Sequence, residues 1–546
     1  MIDRSQNISA DHKGWEWIIP EYFNIGEACS DRQISLKNGK QTAMIVEDDR
    51  LGSSNITYDE LAAKTNQFAE IIKNLKLEKQ SRVLVRLPNC LHYPIAFLGA
   101  MKAGCIAVPT STLLTATEVI YLAKDSEAAV LVTDHETWKS LEPIAEELTF
   151  LKAVFIHQAS HDLSSDYLDV KDLGIEMDKI EVCTPNPATK SDDPAYLVYT
   201  SGTTGYPKGV LHAHRALLGR NPASKYWFNF SAVHDRILHT GKFNWTYVLG
   251  SGLMDPLYLG KTVIVYEGKN NPNQWVDLIH KHNATIFIAV PTIYRQILQK
   301  TQSTKEDVPS LLHCMSAGEH LSDEVFERWK SRFGLDIYEA VGMSEFSYYI
   351  SQSVHRPIRP GSAGFPQPGH KIKLINPETL EEIKAGEEGM ICVPENDPGL
   401  FLEYWHLPEE TAKYKHNGWF FTGDYARYDS DGYLWFLGRK DDIIKSFGYR
   451  VSPYEIERVF KAHPQVNDCA VIGEVSDDKV LVVVYVLASE SSINPDDLVE
   501  YGRANLASYK APKVVYITNH FPRTKNGKIL RKDINRSTAT AFSTIR

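Results

Sequence analysis

From residue 82 the chain alternates short apolar runs rich in β-branched residues with amphipathic stretches: RVLVRL, LHYPIAFLGAMKAG, CIAVPT, TATEVIYLAKDS and AAVLVTD follow one another. Strands of that kind are buried on both faces, and a helix joining two of them leaves them parallel, so the pattern predicts βαβ units in a parallel sheet. A second series opens with AYLVYT and runs through KTVIVYEG, NQWVDLIHKH, TIFIAV, TIYRQILQ, LLHCMSA, EVFERWKSRF and DIYEAVG, which predicts a second α/β sheet. Between about Pro357 and Arg439 the apolar pieces shorten (KIKLIN, GMICV, GYLWFLG) and are broken by Gly, Pro and Asp, as in a small β-rich unit. After Lys440 come PYEIERVFKAH, NDCAVIGEV, KVLVVVYVL and PKVVYI, enough for a separate small α+β domain. The fold class expected is therefore α/β. A large region, 1–440, holds two α/β sheet subdomains and a small β-rich subdomain, and 441–546 forms a small mobile α+β domain.

Length agrees, since 546 residues exceed what one hydrophobic core organises. Hydrophobic residues at 43% exclude a disordered chain. The net charge of −10 repels phosphate backbones and anionic lipid, so nucleic acid is not expected as a partner. No apolar stretch reaches the roughly 18 uncharged residues of a membrane span, and Lys102 interrupts the run from Ile95 to Val108. Seven scattered cysteines without a C-x-x-C pair read as reduced thiols. The first residues lack the apolar core of an export signal, so a cytoplasmic location is expected. Oligomeric state is left open.

The segment YLVYTSGTTGYPKG (196–209) carries the first chemistry. A strand ends at Thr200; Ser201, Gly202, Thr203, Thr204, Gly205 and Lys208 then supply small residues, hydroxyls and a cation. Backbone N–H groups that face outward, hydroxyl donors and a lysine together make a phosphate cradle. Taken alone, the segment also suits a solvated loop. It is not a Walker loop, because Gly260-Lys261-Thr262 has Asp255 where that pattern needs glycine. His212 and His214 form H-x-H with no third ligand spaced for zinc, and read as structural or pocket-lining.

Five further segments follow in order: SAGEHL (316–321), YEAVGMSE (338–345), WFFTGD (419–424), GRKDDIIKSFGYR (438–450) and PRTKNGK (522–528). The series resembles the acyl-adenylate-forming superfamily of acyl-CoA synthetases, luciferases and peptide-synthetase adenylation domains, over nearly the whole chain. IPEYFNIGEAC (19–29) and the stretch 241–266 most resemble medium-chain acyl-CoA and benzoate-type ligases.

That resemblance implies an acid–thiol ligase using ATP, Mg²⁺ and CoA with a small-molecule carboxylic acid, expected to be a medium-chain, alicyclic or aromatic one. It places ATP or AMP against Thr200, Ser201, Gly202, Thr203, Thr204, Gly205, Lys208 and Ser344. Adenine would lie against Gly318, Glu319, Glu339 and Ala340, and the ribose against Asp424 and Arg439. Glu345 would hold Mg²⁺ with Thr203 or Thr204, and Lys528 would be the catalytic lysine. Gly448 would line the pantetheine tunnel, Arg450 would contact CoA, and Asp441 would be the hinge. Phe243, Trp245, Val341, Gly342 and Met343 would line the acyl pocket, with Gly342 standing where acetyl-CoA synthetases carry tryptophan. The alternative is a stand-alone adenylation enzyme that loads a separate carrier protein. Two departures stand out: the short turn VSDDK between two C-terminal strands, and Ser446-Phe447 before Gly448.

Overall fold

The computed structural model describes residues 15–544 apart from 160–164, 182–187, 201–206, 231–233, 320, 441, 447–448, 477–478, 489–492, 507–509 and 524–528. An eight-stranded sheet runs, edge to edge, through Glu403–Tyr404, Lys208–Ala213, Pro194–Thr200, Ile106–Pro109, Arg82–Arg86, Ala128–Asp134, Ala153–His157 and Val170–Asp172. Its centre is parallel, with Leu84 opposite Val108 on one side and Leu131 on the other. A nine-stranded sheet runs through Phe365–Pro366, Tyr348–Ser351, Ile337–Gly342, His313–Ala317, Ile286–Ile288, Arg236–His239, Thr262–Glu267, Thr42–Asp48 and Gly52–Thr57.

Two assignments differ from linear reading. Pro194–Thr200, expected to open the second series, pairs with Ile106–Pro109 in the first sheet. The strand Thr42–Asp48, from the start of the chain, instead joins the second sheet alongside Thr262–Glu267. The periodicity of a strand records that both its faces are buried, but not which neighbour supplies its hydrogen bonds.

Between the sheets lies one shared core. Val83 and Val85 of the first sheet, Met44 and Val263 of the second, and the helix His92–Lys102 belong to a single buried cluster. Lys102, inside that helix, is fully buried and is bonded to Asp31, to Thr65 Oγ1 at 2.7 Å and to Asn66 Oδ1 at 2.9 Å. A buried ammonium persists only with such partners. Helix starts are set locally: Thr57 with Glu60, and Thr115 with Glu118, form capping boxes at the heads of Tyr58–Asn74 and Ala116–Asp125.

The smaller β-rich unit is a five-stranded sheet of Lys373–Ile375, Gly389–Pro394, Trp419–Tyr428, Lys415–His416 and Leu434–Arg439. Beyond it come a hairpin, Ile444–Ser446 with Tyr449–Val451, and a four-stranded sheet packed on helices Pro453–Lys461 and Pro495–Asn505. In the region of the short turn noted in the sequence, Ser476 pairs with Lys479, and the two residues between them lie outside the described residues. No described helix is long and apolar enough to cross a membrane.

The large region is closed where two backbones cross: a Cβ on Gly219 would lie 2.3 Å from the Gly399 nitrogen and 2.4 Å from its Cα. Backbone cannot yield as a flexible side chain does. Gly219→Ala is therefore expected to lose about 1–3 kcal/mol of stability, the scale of overpacking, read as a lower urea midpoint; an unchanged midpoint would refute the crossing.

Candidate active site

Strands Pro194–Thr200 and Lys208–Ala213 are antiparallel, with Thr200 opposite Lys208, so the cradle's two ends sit side by side. Ser201, Gly202, Thr203, Thr204 and Gly205 lie outside the described residues. Against the outer edge of Lys208–Ala213 runs the two-residue strand Glu403–Tyr404, with Tyr404 opposite Val210. Leu402 N–H donates to the Leu211 carbonyl at 2.7 Å and Trp405 N–H to that of Gly209 at 2.8 Å. Gly209 has no side chain because a Cβ would come within 2.9 Å of both Leu197 and Trp405.

This seam carries a third strand of logic. Phe401 N–H donates to the Glu345 carbonyl at 2.8 Å, and the Tyr404 hydroxyl donates to Glu345 Oε1 at 2.7 Å. The ammonium of Lys208 lies 5.6 Å from the centre of the Tyr404 ring and is ion-paired with Glu410. Lys208 and Glu345, 137 positions apart in the chain (345 − 208), thus meet on opposite ends of one tyrosine. Tyr404 and Glu410 were not found by the sequence reading; neither is a Gly-rich or charged-cluster signal, and only the strand pairing brings them here.

A magnesium ion suits this donor set. It takes few protein carboxylates and keeps waters and phosphate oxygens, and Glu345 offers one carboxylate whose Oε1 is already oriented by Tyr404. Among the described residues no group of three or more His, Cys, Asp or Glu could hold a metal by itself. His212 Nε2 bonds to the Ser344 carbonyl at 2.8 Å, and His214 Nδ1 accepts from the Ile25 N–H at 3.0 Å. Burial pushes both imidazoles down to about 3, so both are neutral. A carbonyl only accepts, so His212 carries its proton on Nε2 and fixes the peptide just before Glu345.

Asp424 and Arg439 face each other across an antiparallel pair, with Arg439 Nε 3.9 Å from Asp424 Oδ1. Asp424 is nearly buried while the guanidinium is half exposed. The two carboxylate oxygens of Asp424 can accept from two neighbouring hydroxyls.

Gly318 adopts φ +90°, and the Trp245 ring lies 3.1 Å from where its Cβ would be, so this glycine makes a flat wall. Glu319 accepts from Thr292 Oγ1 at 2.8 Å. Glu339 behaves differently: it is 9% exposed and its Oε1 accepts from the Leu321 N–H at 3.0 Å, so it holds the backbone at Leu321. Ala340, its neighbour, is buried in the cluster of Trp227, Met315 and Tyr348.

The five residues expected around the acyl group divide. Phe243 is buried against Tyr93 at 5.0 Å, and Trp245 packs on the same core. Val341 and Met343 pack instead on the cluster of Phe346, Tyr349 and Phe420. Gly342 has its own reason: a Cβ there would lie 2.1 Å from the Ser347 carbonyl oxygen, so the irregular hairpin Ile337–Gly342 to Tyr348–Ser351 demands glycine whatever the acyl group needs. Aromatic residues missed by the sequence reading join Trp245. Tyr247 lies 5.2 Å from it and 6.2 Å from Trp227, which in turn lies 4.8 Å from Tyr348. The hydroxyls of Tyr247 and Tyr348 are buried without a hydrogen-bond partner among the described residues. After Tyr247 the helix loosens into a π-helical turn, Gly250–Met254, a feature often found at functional sites.

Asp441, Gly448 and Lys528 lie outside the described residues, and of Arg450 only the backbone, opposite Lys445, is described. The small unit contacts the large one through Arg458, which reaches Asp323 at 2.6 Å and the Pro360 carbonyl at 3.1 Å, and through Arg295, which donates to the Asn467 carbonyl at 3.0 Å.

Comparison with known proteins adds a family. The sequence model described as "AMP-binding enzyme" matches residues 32–405, and that of the "AMP-binding enzyme C-terminal domain" matches 455–528. The chain is 30% identical to the benzoate–CoA ligase of Thauera aromatica, covering 94% of this chain and 96% of that one. It is 31% identical to an uncharacterized acyl–CoA ligase of Bacillus subtilis (strain 168), covering 91% and 93%. Among solved structures, the anthranilate CoA ligase in complex with anthranoyl-AMP superposes with a TM-score of 0.84 at 28% identity, covering 94% of this chain and 96% of that one.

The buried Glu339 gives a pH signature. Burial pushes its carboxyl from 4.5 up to about 8, so between those values the folded chain holds a proton that the unfolded chain releases. Its stabilising contribution is present below 4.5 and is lost as pH rises through about 8. Glu339→Gln keeps the acceptor for Leu321 and should become more stable relative to wild type as pH rises, by about 2 kcal/mol or more at alkaline pH. Unfolding midpoints across pH check this, and a pH-independent difference would contradict it.

Proposed function

The chain belongs to the AMP-binding enzyme family and is an ATP-dependent, AMP-forming carboxylate–CoA ligase, and from that premise we propose how its residues divide the work and which acid it takes. In the first step an acid carboxylate oxygen bonds to the α-phosphorus of ATP, the bond from that phosphorus to the bridging oxygen breaks, and pyrophosphate leaves. In the second, the CoA sulfur bonds to the acyl carbon, its thiol proton is lost, and AMP leaves with the electrons of the acyl C–O bond.

Both reactants of the first step are anions, so the residues that matter screen charge. Lys208 and the donors of Thr200, Ser201, Gly202, Thr203, Thr204 and Gly205 take the β- and γ-phosphates. Glu345, with Thr203 or Thr204, would hold Mg²⁺, which would supply a Lewis acid to neutralise phosphate charge. Ser344 lies beside Glu345 on the peptide that His212 fixes. Asp424 accepts from the ribose, with Arg439 beside it, and Gly318, Glu319 and Ala340 flank the base. Lys528 brings a cation to the carboxylate and the α-phosphate. Asp441 is the pivot that exchanges Lys528 for Gly448 and Arg450 at the CoA face, within a small domain of 441–546. The observation that carries this reading is the meeting of Lys208 and Glu345 on Tyr404, close to the end of the Gly/Thr loop.

The acid is aromatic. Trp245, Tyr247, Trp227 and Tyr348 form a continuous aromatic wall behind Gly318, suited to a flat ring. Relatives named for benzoate and 3-hydroxybenzoate point the same way. A cytoplasmic setting is supported by six free cysteines among the described residues, one of them Cys105, whose thiol burial pushes up to about 12.

AMP release and acyl-CoA formation should be followed with benzoate, 3-hydroxybenzoate, octanoate, cyclohexanecarboxylate and acetate, with and without CoA. Full turnover is expected only with CoA, fastest with the aromatic acids. Preference for acetate would overturn the aromatic assignment, and an acid-dependent adenylate that gives no acyl-CoA even when CoA is supplied would point to a carrier protein as the acceptor.

Lys528→Ala should slow adenylation by about 10² or more, the scale of removing one positioned electrostatic donor, while thioester formation from supplied acyl-AMP persists. An equal fall in both half-reactions would contradict a role of Lys528 confined to the first step.

A further inference from the structure

The counter-charge on Lys208 is the least expected feature of the site. Glu410 lies in the helix Pro408–Lys413, outside every motif read from the sequence. Its carboxylate pairs with Lys208 on one side and with Lys413 at 2.9 Å on the other. The Lys208 and Glu410 side chains are 16% and 19% exposed, so the pair is largely withdrawn from solvent. The lysines, Lys208 foremost, hold the Glu410 carboxyl below its ordinary range, and it stays ionised throughout neutral pH. Its position is fixed by the turn that carries it: Thr411 Oγ1 accepts from the Tyr404 N–H at 2.9 Å and donates to the Leu407 carbonyl at 3.0 Å. Glu410 is thereby tied to the same tyrosine that orients Glu345.

We propose that Glu410 is a positioning residue for pyrophosphate release: it holds the Lys208 ammonium over Tyr404 and shares its charge, so that the lysine grips ATP without retaining the product. The inference rests on the reading of Lys208 as a phosphate ligand. Cleavage leaves the electron pair of the broken P–O bond on the β-phosphate, so pyrophosphate carries more negative charge at this end of the site than the same two phosphates carry within ATP. Any excess cation there therefore strengthens product binding more than substrate binding. Lys208 and Lys413 are offset by Glu410 and Glu345 in a set with no net charge. Replacing Glu410 by glutamine leaves one positive charge uncompensated.

The test compares wild type, Glu410→Gln, Glu410→Asp, Lys208→Ala and the Lys208→Ala/Glu410→Gln double variant. Magnesium pyrophosphate binding is measured directly by calorimetry, and KM for ATP, kcat and pyrophosphate inhibition are measured with the best acid. Glu410→Gln should tighten pyrophosphate about tenfold and lower KM for ATP only about threefold, with a fall in kcat, as an uncompensated, partly desolvated charge would produce. Raising the salt should shrink the effect. Glu410→Asp should restore most of the wild-type pyrophosphate affinity. The half-reaction from supplied acyl-AMP to acyl-CoA, which involves no pyrophosphate, should be unaffected by Glu410→Gln. In the Lys208→Ala background the glutamine should change pyrophosphate affinity by less than about twofold, because the coupled partner is gone. The proposal is overturned if folded Glu410→Gln binds pyrophosphate as wild type does, or if the change is equally large without Lys208; Glu410 would then only anchor its helix. Failure of wild type to release AMP with any acid would instead overturn the ligase reading, and the calorimetric comparison would still decide the role of Glu410.

Discussion

The whole site hangs on a seam only two residues long, where Glu403–Tyr404 pairs with Lys208–Ala213. Backbone hydrogen bonds from Phe401, Leu402 and Trp405 tie together segments near residues 210, 345 and 403. Electrostatics explains why such a tie is needed. A carboxylate attacking a polyphosphate brings anion against anion, and a cation lowers that barrier only if it is held where the charge develops. A flexible lysine would lose much of its effect to side-chain entropy. Here Lys208 is held by Glu410 and by the Tyr404 ring, and the carboxylate of Glu345 is held by the hydroxyl of that ring. The shape of the site follows from hydrogen bonds made well behind it.

A second constraint is how the small unit rests on the large one. Its contacts run through arginines that reach a half-exposed carboxylate or a backbone carbonyl, as Arg458 does with Asp323 and Pro360. Partly exposed ion pairs contribute little net stability each. The large region is held otherwise, by a core shared between two sheets and by close backbone crossings such as Gly219 on Gly399.

Part of the arrangement was legible in the chain. Asp424 and Arg439, both singled out in the sequence, stand opposite each other on one antiparallel pair, and Glu345 meets the hydroxyl of Tyr404. Other residues changed meaning. Glu339 accepts a hydrogen bond from the Leu321 N–H within the protein, and Gly342 satisfies a close backbone contact with Ser347. A motif specifies residue type and spacing, but one glutamate can face a ligand or a backbone N–H with the same spacing. Tyr404, Glu410, Tyr247 and Tyr348 carried no sequence signal, because each acts through a neighbour that is distant in the chain.

By itself the sequence determined the class of fold, the order of its units and the reaction. Apolar periodicity is a local property that a strand or helix must show in order to be buried, and a run of ordered motifs accumulates specificity without any contact being known. Only the tertiary structure decided which sheet each strand joined, which carboxylate counters Lys208 and which aromatic side chains gather beside Trp245. Those choices depend on hydrogen-bond partners and packing between segments hundreds of residues apart, where no local pattern distinguishes one neighbour from another.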